Sequence, residues 1–219
     1  MTIDETTSEA DTESIADCAP TVSKVLANYV SRRAAELQGA YQADSPKAVA
    51  TLARLRRVTP SVTGLDPDAW DIFEGMPERL LGRGDAPSRA ELAAISSLML
   101  FATHQQSRRD VGMSASGRAN SLGRAVARLK LAPAAPGVER RFRALTRTSD
   151  LNGALQHLRG LIGQLRSERI PLDYGALARD LYDLQHPAGV HGVRMRWTRD
   201  FHRPTRDNAD TPAKTGDQE

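Results

Sequence analysis

Residues 150–167, DLNGALQHLRGLIGQLRS, decide the fold class. Asp150 is a residue type that caps free N–H groups at a helix start, and Leu151, Leu155, Leu158, Leu161, Ile162 and Leu165 follow at steps of three and four. That spacing gathers the large apolar side chains on one stripe of a helix. Working outward, Asp173 caps a second run through Leu177, Leu181 and Leu184, and a last one carries Val193, Trp197 and Phe201. Upstream, Val138, Phe142 and Leu145 follow a break at Pro133–Gly137, and Ser121 precedes Leu122, Ala125, Val126 and Leu129. Ser88 opens what reads as the longest helix, with Leu92, Ile95, Leu98, Met99 and Ala102 on one side. Ser45-Pro46 is a cap followed by proline in the first turn, leading to Val49, Leu52 and Leu55. The first stripe runs through Val22, Leu26, Tyr29, Val30 and Leu37. No segment alternates with a period of two over a useful length, so an all-α protein is expected.

The segment Leu131-Ala-Pro-Ala-Ala-Pro-Gly137 is the best candidate boundary. It predicts two small antiparallel helical bundles in an elongated arrangement, residues 20–131 and 132–203. Residues 1–19 and 204–219 hold little to bury and read as disordered acidic tails. The plain role of these tails is solubility. The sharper reading of the first is that its acids shield the basic body until a stronger polyanion displaces them.

Charge is distributed unevenly. The first 20 residues hold six acids and no base, while residues 21–203 carry 28 bases against 17 acids. From His104 to Arg143 there are nine bases and two acids. Arg124 and Arg128 lie four apart on one helix face, with Arg118 ahead of them and Arg108 and Arg109 further upstream. Like charges at that spacing cost a few tenths of a kcal/mol. A merely solvated face would interleave acids, so an anionic partner is indicated. Arg54, Arg56 and Arg57 form another cluster; Arg159 and Arg166 lie on the long later helix, and Arg194, Arg196, Arg199 and Arg203 on the last.

Dispersed arginines suit a nucleic-acid backbone. Aromatics are only 5% of the chain and mostly fall at core spacing, so base-stacking platforms are poorly supported and binding should be blind to sequence. Catalytic signals are weak. The five histidines form no metal-protease pair, Gly112–Gly117 lacks the lysine of a phosphate-cradling loop, and the single cysteine, Cys18, excludes a disulfide framework within the chain. His104 reads as a structural hydrogen-bonder, Asp173 as an N-cap. No cofactor, metal or membrane span is expected, and the chain reads as cytoplasmic.

Along the chain, short strings accumulate in order. Leu55-Arg56-Arg57 ends an early helix, and Trp70 and Pro77 follow. His104-Gln105-Gln106-Ser107 closes the Ser88 helix, and Ser121-Leu122-Gly123-Arg124-Ala125-Val126 comes next. Glu139-Arg140-Arg141-Phe142, Leu158-Arg159-x-Leu161, Ile170-Pro171-Leu172-Asp173-Tyr174 and Trp197-x-x-x-Phe201 complete the series. Across Val22 to Arg203 the chain resembles the CasB-type small subunit of Cascade, the type I-E CRISPR surveillance complex.

The resemblance implies a non-catalytic, two-bundle helical subunit. Its expected partners are the backbone and large subunits, a second copy of itself, the guide RNA, and the target and non-target DNA strands. Its role would be to stabilise the R-loop while base pairing reads the sequence. Carried over, the nucleic-acid-binding residues are Arg56, Arg57, Arg124, Arg140, Arg141 and Arg159; Arg108, Arg109, Arg118 and Arg128 rest on charge and location. Alternatives remain for several. Arg140 or Arg141 could pair with Glu139, Arg159 could lie in a helix seam, and Gly123 suits close helix packing. Trp197 and Phe201 suit the core. Two other functions are weighed: a stand-alone helical DNA-binding regulator using Asn120–Lys130, and a metal-dependent nuclease with a dispersed carboxylate site.

Overall fold

The computed structural model describes residues 21–60, 73–132 and 137–203. Eight α-helices follow one another: α1 (Val22–Gln42), α2 (Pro46–Leu55), α3 (Arg89–Gln105), α4 (Leu122–Lys130), α5 (Val138–Arg147), α6 (Leu151–Ser167), α7 (Tyr174–Leu184) and α8 (Pro187–His202). Among the described residues the only β pairing is one isolated bridge, Ser114 to Leu172. The fold is all-α. No helix among these residues is long and apolar enough to cross a membrane. Both acidic tails, Trp70 and the Pro133–Pro136 stretch lie outside the described residues.

The helix starts show how local chemistry sets the elements. Asp150 accepts from the Gly153 N–H at 2.9 Å and Asp173 from the Ala176 N–H at 2.9 Å, as their positions predict. Ser88 makes a reciprocal capping box with Glu91. Ser45 and Ser121 make no such bond. The Ser121 hydroxyl instead donates to Asp200 at 2.8 Å, tying α4 to α8. The longest helix is α1, with 21 residues against 17 in α3, because its buried stripe continues past Leu37 to Tyr41. Asp44, at φ +59, ends that run.

Helix α3 is buried on nearly every side and packs against α1, α2, α6 and α7. Helix α7 lies on both α1 and α3, and α4 packs on α8. Helices from either side of 131/132 therefore share one continuous core. The expected cut into 20–131 and 132–203 does not coincide with a gap in packing. The reason is long-range pairing: α7 covers the apolar faces that α1 and α3 leave open, which a boundary drawn from loop composition cannot register.

Two glycines mark close helix crossings. A Cβ at Gly123 would lie 2.4 Å from the Trp197 carbonyl oxygen, and one at Gly175 would lie 2.5 Å from that of Ala27. Both contacts involve backbone, which cannot swing aside. Gly123→Ala should therefore force α4 off α8. Overpacking of about 3 kcal/mol, less about 1 kcal/mol of recovered helix propensity, leaves a net loss of about 2 kcal/mol. A lowered urea midpoint with an unchanged slope would show it; a neutral or stabilised variant would mean the helices do not meet at Gly123.

Candidate nucleic-acid interface

The first basic cluster is built around Tyr41 at the end of α1. Buried Gln105 organises the loop after α3: its Nε2 donates to the carbonyls of Arg108 and, at 2.9 Å, Val111, and its Oε1 accepts from the Met113 N–H at 2.9 Å. Ser107, at φ +58, donates its N–H to the Tyr41 hydroxyl at 3.2 Å. This loop presents Arg108 and Arg109. Arg109 sits over the Tyr41 ring, 5.3 Å from its centroid, and pairs with Asp44. The Tyr41 and Asp44 contacts hold its pKa above the ordinary arginine value. Arg108 donates to the Arg166 carbonyl at 3.1 Å, so it also fastens the end of α6.

Arg56 caps the end of α2, where a cation suits the helix dipole, and Arg57 beside it is exposed. Burial lowers the Arg56 pKa, and the like charges of Arg166 and Arg57 push the same way against a favourable contribution from Tyr41. Arg56, Arg57 and Arg166 thus crowd positive charge that no acid among the described residues relieves.

The second cluster lies on α5. Its buried face is Val138, Phe142 and Leu145, with Phe142 stacked on Phe201 of α8 at 4.5 Å. Arg140, Arg141, Arg143 and Arg147 are left exposed. Glu139, the acid that could have paired with Arg140 or Arg141, is taken by Lys130 at 2.6 Å. That hydrogen bond and charge hold the Glu139 carboxyl below its ordinary pKa. Arg140, Arg143 and Arg147 border a hollow of about 680 Å³ together with Lys130, and Arg141 lies beside Gly160 of α6.

Helix α4 contributes less than its charge suggests. Arg128 is half-buried and donates to Asn120 Oδ1 at 3.1 Å and the Pro171 carbonyl at 3.2 Å. It ties the short 3-10 turn Arg118–Asn120 to the approach to α7, a structural task beside the nucleic-acid role expected from its charge and location. Arg124 shares its face, half-buried, with Nε enclosed and unpartnered. Leu122, Gly123, Ala125, Val126 and Leu129 are buried, mainly against α8, and Lys130 is the only exposed residue of α4, so Asn120–Lys130 offers little open face to a DNA groove. Arg159 is exposed on α6 and reaches the Met99 sulfur of α3 at 3.4 Å. Arg118 is exposed on its turn and faces Arg199 of α8 and Arg203 just beyond its end across a concavity.

The ten sequence-derived arginines therefore occupy several surfaces: the Tyr41 cluster, α5, the partly engaged α4 pair, the lone Arg159, and Arg118. Those missed are Arg143 and Arg147, whose α5 spacing was legible, and Arg199 and Arg203, which only the fold brings to Arg118. Among the described residues no group of three or more His, Cys, Asp or Glu could hold a metal. An apolar hollow of about 720 Å³ is lined by Leu92, Leu151, Leu184, Pro187 and Val190. Its polar rim is in structural use: Asp150 caps α6, and Arg194 donates to the carbonyls of Arg147 and Thr148.

Residues 51–202, more than half of the chain, match the profile of CRISPR-associated protein Cse2. The chain belongs to the Cse2 family. The crystal structure of CasB from Thermobifida fusca is similar at 36% identity and TM-score 0.64, over 82% of this chain and 98% of that one. A chain of a CRISPR RNA-guided surveillance complex shares the fold, at 23% identity and TM-score 0.60, over 81% and 93% of the two chains. No curated protein matches it. Within this Cse2-family fold the ordered sequence strings acquire physical meaning. Ser121-Leu-Gly-Arg-Ala-Val126 is the α4–α8 crossing, and His104-Gln-Gln-Ser107 is the turn that builds the Tyr41 cluster.

Proposed function

We propose that this chain is the non-catalytic small subunit of a type I-E CRISPR effector complex, Cascade. In this reading it grips nucleic-acid backbone without sequence preference, supporting the guide RNA–target DNA hybrid and the displaced non-target strand. Its partners are the backbone and large subunits and a second copy of itself. The observation that carries the reading is α5. Arg140, Arg141, Arg143 and Arg147 stand exposed in two turns of helix, and the nearest acid, Glu139, is already neutralised by Lys130. Repulsion of that kind is relieved by a polyanion. Clustered arginines without interleaved aromatics suit phosphates and offer no platform for stacking bases, which fits a complex whose sequence reading is done by pairing.

The test is R-loop formation by the reconstituted complex with wild-type chain, with the chain omitted, and with Arg140, Arg141 and Arg143 all changed to alanine. The substituted side chains are exposed, so the variant should still assemble. Target affinity should fall at least about tenfold, and the slope of log K against log salt should become shallower by about 0.7–0.9 for each phosphate that is no longer neutralised. The displaced strand should become less protected. R-loops indistinguishable from wild type in affinity and salt slope would remove α5 from the interface.

A further inference from the structure

The concavity between the Arg118–Asn120 turn and α8, about 500 Å³, is lined by Arg118, Arg179, Arg196, Arg199 and Arg203 with Asp173 and Asp200 among them. Its charge becomes clear once each partner is assigned. Asp173 has both oxygens occupied, one by the Ala176 N–H at 2.9 Å and the other by the Gly117 N–H at 2.8 Å. Asp200 accepts from the Ser121 hydroxyl at 2.8 Å. Arg196 is committed to Asp180 at 2.8 Å and Asp183 at 2.7 Å, and Arg179 leans on Asp180 at 3.6 Å. Arg118, Arg199 and Arg203 have no acceptor among the described residues. Arg199 lies in the last turn of α8 and Arg203 directly follows its end.

The site is also fixed in place. Arg118 rides on a turn held by the Asp173–Gly117 bond and by the Asp173 N–H donating to the Asn120 carbonyl at 2.8 Å. Arg199 projects from a helix anchored by buried Trp197. Three guanidiniums with no direct acceptor among the described residues thus face one hollow, whose lining carries five arginines against two aspartates. Its described lining contains no aromatic ring on which a base could stack and no side-chain amide to pair with adenine, so charge is what it chiefly offers.

We propose that this hollow seats a phosphodiester of a single nucleic-acid strand, clasped by Arg118, Arg199 and Arg203. A recessed site suits a strand free to bend its backbone inward better than the regular face of a duplex. The proposal rests on the nucleic-acid reading above and adds a site separate from α5. A free polyphosphate would satisfy the same guanidiniums, so the test includes it.

The experiment measures binding of the full chain to an oligo-dT single strand across a salt series, with R199A/R203A, R118A and R140A/R141A. R199A/R203A should weaken binding about tenfold at low salt and flatten the salt slope by roughly 0.7 for each phosphate that the hollow no longer holds. R118A should weaken it in the same direction by a smaller factor. R199K/R203K should restore much of the slope, because it returns charge. The thermal midpoint of R199A/R203A should stay at the wild-type value, since neither arginine has a described partner. Wild-type binding that R140A/R141A weakens and R199A/R203A leaves unchanged would overturn this site and spare the nucleic-acid reading. No binding of oligo-dT by wild type would overturn both. Stabilisation by pyrophosphate that R199A/R203A abolishes, without any effect of that variant on oligo-dT, would reassign the hollow to a free polyphosphate and overturn the strand proposal.

Discussion

Asp180→Ala is expected to cost about 3 kcal/mol of unfolding free energy, read from urea unfolding. Asp180 lies on α7 with a side chain only 8% exposed, yet it serves three donors. One oxygen accepts from Trp197 Nε1 at 2.6 Å; the other accepts from Arg196 Nε at 3.1 Å and Nη2 at 2.8 Å. Burial pushes the Asp180 carboxyl above the usual carboxylate range, while Arg196, Arg179 and the Trp197 N–H pull it back. Arg196 in turn, despite its own partial burial, is held above the ordinary arginine value by Asp180 and Asp183. Breaking a buried pair costs about 3–5 kcal/mol because the surviving partner is stranded. Here the lower end applies, since Arg196 is 39% exposed and retains Asp183. The irreducible part is the buried indole N–H, which is deprived of its only described acceptor. Asp180→Asn keeps an oxygen for Trp197 and should cost about half as much. Equal losses in the two variants would place the energy in the ion pair and not in the indole bond.

That network shows what could be read from the chain and what could not. Trp197 and Phe201, four apart, are legible as core, and they are buried on α8. Asp150 and Asp173 are legible as caps because a cap depends on the three residues that follow it. The α6 stripe is legible for the same reason: its periodicity is local. Asp180 gives no such signal, since its partners lie 16 and 17 residues ahead and are chosen by how α7 meets α8. The site divides along the same line. Arg140, Arg141 and Arg143 are neighbours in sequence and on one helix, so a local charge run already describes them. Arg118 and Arg199 are distant in sequence and meet only through the α4–α8 crossing at Gly123. Arg128 belongs to a charge run but is consumed by Asn120 and Pro171. Charge density along a chain counts guanidiniums; only the fold shows which are spent.

The fold also gives the arginines different stiffness. Those of α5 stand on one turn after another of a helix whose other face is fixed by Phe142 and Leu145. Those beyond α3 depend on a loop held by polar side chains, buried His104 and Gln105 at its root and half-buried Gln38 beside it, whose Oε1 accepts from the Ser114 N–H at 2.7 Å. A loop secured by buried polar groups is sensitive to their protonation in a way that an apolar helix face is not.

The consequence is a pH dependence of stability. His104 is fully buried at the end of α3, its Nδ1 2.9 Å from the Tyr174 hydroxyl. Burial lowers its pKa to about 4; backbone groups at Leu165 and Ile170 work against the shift and the charge of Arg166 works with it. Tyr174, whose own pKa is raised well above the ordinary value by burial, stays an uncharged phenol and gives no anion to steady an imidazolium. In the unfolded chain His104 takes up a proton near its ordinary value of 6.5, whereas in the folded chain it waits until about 4. Protonation therefore favours the unfolded state first. Stability should be full above pH 6.5 and fall as pH drops from there toward 4, by about 3 kcal/mol in all, at about 1.4 kcal/mol for each pH unit separating the two values. Asp180, shifted upward, acts with the opposite sign at the acid end, but it is common to wild type and variant. His104→Gln can still hydrogen-bond Tyr174 and does not titrate. It should be less stable than wild type at pH 7, and its unfolding free energy should lack the fall between pH 6.5 and 4. Identical pH slopes for the two proteins would show that His104 is not the titrating group. If the slopes differ, mild acid loosens the root of the loop that carries Arg108 and Arg109, and the Tyr41 cluster should lose nucleic-acid affinity before the α5 arginines do.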